Sequence, residues 1–591
     1  MLTVKARAPL DFCALQLLLA LAYLKRKARM VVCLCLVFSL YPLSSNGQAI
    51  DQFDTKKGFT LGGSLGFSSI AYAATGIDSR RDPFDFYLTG NLNVGLFGYS
   101  FPFTFQYSNR TTTYTQPFNS FQFAPSYKWA KLYLGTASMS FSSYTLAGHQ
   151  FNGVGVELTP GKWTIAAMYG RLKRAIEPDF DNPERGEPSY KRIGYGTKVG
   201  YTDDWGNVGV SFFAASDRKS SIMPPPPEAQ LSPLSNVAVG ITAQKNFFKQ
   251  FYVTAEYTFS ILHKESNTFP LGNTETPAEL VKQATKQYFD VIAGGVGYQN
   301  KWMGLQLRYE RVAPDYQTLG GYYFTNDMEN YTIMPMLKLM DGKLSISGNI
   351  GFQRDNLNDM KGADTKRFVG AANATYVPNE KWNFTGAYSN FNSYTRHRLQ
   401  EDPTFRDELD SLNFYQLSQS FNAGAGYNFG SKDLHQSIML NLAYQVSSEE
   451  QKANPDLGGS DIYTGNVSYT FALTPSNLSM SVSGNFTHSS SPSMKSLFVG
   501  PSATLSKGWF KNVLRSSLGV SYSHNSTTAN GIDNDSSSLS SRLNLNFSPK
   551  TKQKWGKHNA GVSFALMDRF GSGNVKSFHE FTTTINYTYS F

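Results

Sequence analysis

Lys191–Phe213 reads KRIGYGTKVGYTDDWGNVGVSFF. Its first half alternates. Ile193, Tyr195, Val199 and Tyr201 fall on one side, and Arg192, Gly194, Gly196, Lys198 and Gly200 on the other. A period of two marks a strand with one apolar and one polar face. The short polar connection Asp203–Asp204 follows, then Trp205, then a second strand-like segment. The unit recurs from Gly58 to the end. Phe84, Phe86, Leu88, Leu92, Val94 and Leu96 alternate with Asp85, Tyr87, Thr89, Asn91 and Asn93. Leu344, Ile346, Ile350 and Phe352 alternate with Ser345, Ser347, Asn349 and Gly351. In water this pattern would describe a one-sided sheet. Its recurrence in segments of about ten residues, the length a tilted strand needs to cross a bilayer, favours lipid.

The tryptophans point the same way. All seven sit in or beside short polar turns: Trp129, Trp163, Trp205, Trp302, Trp382, Trp509 and Trp555. An indole has an apolar body and a polar N–H, so it settles where hydrocarbon meets water. One kind of turn carrying every tryptophan predicts a girdle at one level of a transmembrane β-barrel. Trp163 and Trp382 are in phase with the apolar face that follows them, whereas Trp205, Trp302, Trp509 and Trp555 are off by one. Packing within the turns is the competing explanation.

The connections also alternate in length. Short ones such as 159–162, 203–204, 340–343, 378–381, 430–433 and 474–477 are separated by long ones such as 172–189, 217–235, 262–285, 392–412 and 448–460. Strict alternation predicts an all-β, up-and-down antiparallel transmembrane barrel with short periplasmic turns and long outer loops. Counting segments gives about 26 strands, in a range of 22–26, and an even number places both barrel termini on the periplasmic side. At a strand spacing of about 4.8 Å and a tilt of about 40°, such a barrel is roughly 50 Å across. Strand side chains alone do not fill that width.

Composition bounds the function. The formal charge is +10, but residues 1–47 hold six bases and one acid. The remainder carries 48 bases against 43 acids, too even and dispersed for a nucleic-acid partner. Cys13, Cys33 and Cys35 all lie in the first 35 residues. Cleavage before Gln48 would leave a cysteine-free chain, suited to an oxidising compartment and without a disulfide or thiolate metal site. Lys25–Arg29 (KRKAR), the apolar run Met30–Leu43 and the small residues Ser45-Asn46-Gly47 read as a signal peptide over 1–47. Leu10–Leu24 has no clear role and suggests a start assigned too far upstream. Residues 48–57 are a short periplasmic segment and 58–591 the barrel.

The last strand is Phe581-x-Thr583-x-Ile585-x-Tyr587-x-Tyr589-x-Phe591, ending on an aromatic residue. It resembles the C-terminal assembly signal of Gram-negative outer-membrane β-barrel proteins. The resemblance implies that Phe581, Ile585, Tyr587, Tyr589 and Phe591 are read by the barrel assembly machinery, and that the chain is integral to the outer membrane. It names a class rather than one family.

About ten residues between Gln48 and the first strand predict no plug of the kind a TonB-dependent transporter carries, and no soluble domain is expected before or after the barrel. A filler is expected from loops or from another chain. Thr276-Pro277-Ala278-Glu279 is a capping box leading into Leu280, Val281 and Ala284, and Asp402-Pro403 could open a turn through Leu409. Either could fold inward or simply decorate an outer loop. Pro224–Pro227 would stiffen another loop. No cofactor is implied. The eight histidines show no metal-ligand spacing, and only His149, in YTLAGHQF, sits in a compact aromatic-flanked loop where catalysis is conceivable. Lys198, Arg308, Glu310 and Arg354 should point inward and set a weak, mixed field along the bore.

Three functions follow, in order: a porin-like channel or plug-less transporter, a structural or secretion-associated barrel closed by a partner protein, and an outer-membrane hydrolase.

Overall fold

The computed structural model describes residues 58–109, 119–178, 188–223, 231–264, 285–322, 325–358, 360, 366–394, 415–448, 459–549, 556–572 and 575–591. The expected signal peptide, the segment 48–57, Trp555, Pro224–Pro227 and the helix starts at 276–284 and 402–409 lie outside the described residues.

Among the described residues, 27 strands form one antiparallel sheet. The first, Phe59–Thr75, pairs with the last, Phe578–Ser590, and closes it into an up-and-down barrel. Two short strands, Ser120–Phe123 and Ser126–Tyr127, share one place between Tyr99–Ser108 and Ala130–Ser140, so the barrel has 26 strand positions. The interruption is Ala124-Pro125. Proline has no N–H to give to a ladder. The gap is bridged from both sides: Ala124 N donates to Pro102 O at 3.0 Å and Leu132 N to Pro125 O at 2.9 Å. Both barrel ends meet at the short-turn rim, where Gly63 N and Phe591 N each donate to the other's carbonyl at 3.0 Å. Among the described residues the only helical piece is one 3₁₀ turn, Lys219–Ser221, and no helix is long and apolar enough to cross a membrane.

The two faces differ. Val467, Leu440, Leu442, Val482, Leu505 and Leu518 are exposed on the outside, and their sequence neighbours Asn466, Asn441, Ser483 and Thr504 face the bore. An apolar belt this continuous does not persist in water. A closed barrel leaves no unpaired edge, which lets strands cross hydrocarbon. The protein is an integral outer-membrane β-barrel. An arginine at Val467, halfway along Ser460–Leu473, should cost about 2–4 kcal/mol. The same change at Asn466, on the bore side, should cost far less. Urea unfolding of the two variants in lipid vesicles separates them, and equal losses would contradict this assignment of faces.

The expected strict alternation of short and long connections fails at two places. At the outer rim the connections at 491–493 and 530–531 are as short as the turns of the opposite end, which run from two residues upward. Asn530 and Gly531 both take positive φ, 50° and 78°, as a two-residue hairpin turn requires. The reason lies in the strands, since Met494–Trp509, Leu514–Ala529 and Ile532–Phe547 are each 16 residues long. A tilted strand needs about 9–11 residues to span the membrane. Beyond Tyr522 the chain reads SHNSTTA, without an apolar face, so these hairpins rise out of the bilayer where other connections are loops.

Candidate functional site

In the outer half of one wall the inner face ceases to be polar. On Gly206–Arg218, Val208 and Val210 are exposed outward, while Phe213 and Ala215 on the other face are buried. Phe151, Met168, Leu172, Leu262, Phe289, Val291 and Val312 are inward and buried in the same way. Apolar residues cover them. Segment 141–146 follows the strand Ala130–Ser140, and segment 313–322 follows Met303–Val312, eight strand places further round the barrel; both fold inward and seat Phe141, Tyr144, Leu146, Tyr316 and Leu319 against this wall. The result is an in-folded lobe with its own hydrophobic core.

Hydrogen bonds fix the lobe at one residue above all. Asn236, buried on the strand Leu234–Phe247, accepts from Thr318 Oγ1 at 3.0 Å and from Leu319 N at 3.1 Å. Its Nδ2 donates to Ser260 Oγ at 2.8 Å and to Ile261 O at 2.9 Å. Ser260 Oγ donates in turn to Gln317 O at 2.8 Å. The two segments join where Ala147 N meets Gly320 O at 2.9 Å and where the Tyr316 hydroxyl donates to the Tyr144 carbonyl. Burial, and secondarily the Glu256 carboxylate, push the Tyr316 phenol far above its ordinary range, so it stays a donor. The wall is shaped to receive the lobe. A Cβ on Gly196 would stand 2.8 Å from the Phe141 ring, and one on Gly240 would stand 3.0 Å from Thr145 Cγ2.

Charges line the lobe's inner edge. The register sets Glu256 and Glu310 at one level, with Ala293 between them, and Arg308 two residues from Glu310 on the same face. Arg308 Nη2 lies 3.3 Å from Glu310 Oε1. The Tyr144 hydroxyl donates to Glu310, and Arg308 and Lys198 are the cations near Glu256. Lys198 is paired in register with the inward, buried Ser211. Three residues singled out in the sequence thus lie on the inner wall beside the lobe, together with Glu256, which sequence reading missed.

Arg354 does not join them. Residues two apart on a strand share a face, and Phe352 is 68 % exposed on the outside. Arg354 therefore sits outward, where it pairs with Glu329. Tyr309 and Tyr331 donate to the same carboxylate at 2.7 and 3.2 Å. The expectation of an inward Arg354 is corrected.

His149 is packed into the structure. Its ring is buried and stacked on Tyr322 at 4.1 Å, and among the described residues its hydrogen bonding is to Gln150 O at 2.7 Å. No cluster suited to a metal occurs among the described residues. Trp163, Trp205, Trp302, Trp382 and Trp509 all lie at the short-turn rim, each at least two-fifths exposed, and Trp129 is half-buried in its turn. Trp509, off by one from the strand after it, ends the strand before it on the same face as Leu505. Phe581, Ile585 and Tyr587 are exposed on the outer face of the closing strand, with Tyr589 and Phe591 half-buried on the same face.

No protein-family model matches the chain, and no curated protein sequence matches it. Solved structures with a similar course include OccAB2 of Acinetobacter baumannii (11 % identity, 67 % of this chain and 98 % of that one, TM-score 0.29). OpdK of Pseudomonas aeruginosa with vanillate matches at 10 % identity over 61 % and 94 %, TM-score 0.30. The translocation pore of the P pilus usher PapC matches at 9 % identity over 90 % and 99 %, TM-score 0.35. At these scores none of them bears on what, if anything, crosses this barrel.

Proposed function

We propose that this barrel is a passive solute channel of the outer membrane, narrowed on one side by the in-folded lobe. The observation that carries the reading is the lobe itself. It is seated on one wall and edged by Lys198, Glu256, Arg308 and Glu310, while inward residues of strands further round the barrel, such as Asn373, Asn422 and Asn441, stay exposed. Two cations and two carboxylates at the narrowing predict weak ion selectivity. Around this core we read the tryptophans as the periplasmic interfacial girdle and the closing strand as the segment bound by the barrel assembly machinery. The likeness to porins in the comparisons is compatible with this reading and adds nothing to it.

Planar-bilayer conductance of residues 48–591, refolded in detergent, tests it. Large, steady, weakly selective steps are expected, and Arg308→Glu should move the reversal potential toward cations without changing insertion. Inserted protein that passes no current would sink the channel reading. A second reading has one observation in its favour, the width of a 26-strand bore: a barrel closed by a partner protein, of a structural or secretion-associated kind. That reading predicts the silent insertion just described, together with a protein that co-purifies in fixed ratio.

A further inference from the structure

Five consecutive strands, Trp382–Tyr394, Tyr415–Gly430, Leu434–Ser448, Ser460–Leu473 and Leu478–Ser490, hold a single Asp, Glu, Lys or Arg between them. It is Asp461, two residues from the outward Tyr463 and hence on the outer face, where it accepts the Tyr444 hydroxyl at 2.9 Å. The inner face of this sector therefore has no formal charge, unlike the wall that carries the lobe.

Amides and hydroxyls take the place of charge, and they are in line. Register sets Thr375, Thr385, Gly424, Asn441, Asn466 and Asn485 in one row, one residue per strand. A shallow groove of about 410 Å³ follows this row, with Asn373 and Asn422 along its edge. Gly424 gives the groove its depth: a Cβ there would stand 2.6 Å from Thr385 Oγ1 and 3.0 Å from Asn441 Oδ1. One end is tied down, since Asn466 Nδ2 donates to Asn485 Oδ1 at 2.6 Å and Asn485 Nδ2 to Gly500 O at 3.1 Å. The side-chain amides of Asn373, Asn422 and Asn441 make no hydrogen bond among the described residues and are exposed to the bore.

Each such amide offers donors and an acceptor together, and each threonine hydroxyl does the same. An ion passing here would shed water without gaining a counter-charge. A sugar hydroxyl also donates and accepts, and loses nothing by the exchange. Neighbouring strands are about 4.8 Å apart, so the row, apart from the gap at Gly424, presents a polar group at intervals close to the length of one sugar ring. We propose that this row is a transit subsite for neutral saccharides. The inference rests on the channel reading for its purpose, but binding can be measured without current.

The test is titration of the mature barrel, refolded in the sugar-free detergent lauryldimethylamine oxide, with neutral linear hexasaccharides of glucose and of xylose. Saturation-transfer NMR gives the readout. Saturable binding at millimolar concentration is expected. Gly424→Leu, which fills the groove, should weaken it by about tenfold or more. So should the double variant Asn422→Ala/Asn441→Ala, which removes two exposed amides and keeps the ladder, as strand content by circular dichroism verifies. No saturable binding by the unaltered barrel would overturn the proposal. Equal binding by the double variant would also overturn it, as would hexaglycine binding as tightly as the sugars. Conductance is recorded separately. A barrel that binds sugar but passes no current keeps the subsite and loses the channel, and one that conducts but binds no sugar does the reverse.

Discussion

Asn236→Ala combined with Tyr316→Ala is expected to release the lobe from the wall and raise single-channel conductance, while the barrel still inserts. Truncating Tyr316 opens a cavity in the lobe's core, for which about 3–5 kcal/mol is usual for a buried aromatic residue. It also frees the Tyr144 carbonyl that the phenol now satisfies. Removing the Asn236 amide leaves Leu319 N and Ile261 O without this partner, at about 1–3 kcal/mol for each buried group left unpaired. The two residues anchor one element, so the effects will not simply add. Both substitutions remove side-chain atoms only and leave the backbone ladder pairs in place, so the strands Leu234–Phe247 and Phe251–Lys264 keep their register. Limited proteolysis gives the second readout: cleavage within 313–322 should appear in the double variant and be absent from the parent. Cleavage with unchanged conductance would mean that the lobe does not narrow the path. Resistance to cleavage would mean that Asn236 and Tyr316 do not hold it. Tyr316→Phe alone removes one hydrogen bond, worth about 1 kcal/mol, and should leave the lobe in place.

The barrel was legible in the sequence because its determinant is local. Alternation on the Lys191–Asp203 strand needs only neighbours to be recognised, and the turns announce themselves through Gly, Asn, Asp and Lys. Strand number followed as about 26, since a gap of two residues such as Ala124-Pro125 barely changes the spacing of segments. The lobe was not legible, because its determinant is contact between residues far apart in the chain, such as Asn236 with Leu319 and Tyr144 with Glu310. One signal was present. Phe212-Phe213-Ala214-Ala215 and Ile165-Ala166-Ala167-Met168 are apolar on both faces, which a wall facing water on its inner side does not need. Read that way, they announce that something apolar covers the bore side of those strands. Arg354 was misplaced for a simpler reason. Alternation with apolar neighbours suggests an inward Arg354, but Phe352 sets the outward phase there, and a charged residue near the rim can stay on the outer face when Glu329 and two tyrosine hydroxyls lie beside it.

Removing Phe578–Phe591 should abolish the folded barrel altogether, and removing Phe591 alone should separate two roles of that strand. The closing strand pairs with Phe59–Thr75 from Ser64↔Ser590 through Thr75↔His579. Its outer end is pinned on the bore side, where Tyr72 Oη donates to Glu580 at 2.5 Å and the Arg80 guanidinium lies 4.6 Å from the centre of the Phe578 ring. Without the strand, Phe59–Thr75 and Lys557–Gly571 become open edges in hydrocarbon. There, unpaired backbone groups cost several kcal/mol each and no water compensates them. The sum exceeds the 5–15 kcal/mol that typically holds a folded protein together, so no protease-resistant barrel should form in cells or in detergent. Phe591 is a smaller matter for the ladder, contributing the reciprocal pair with Gly63 at the rim. Its loss should leave refolding of purified protein in detergent nearly intact. If the terminal aromatic is what the assembly machinery binds, the same truncation should sharply reduce the amount of barrel reaching the outer membrane. Equal, small effects in both settings would show that the closing strand matters only as the seam. Equal, large effects would show that the Gly63–Phe591 pair governs closure itself.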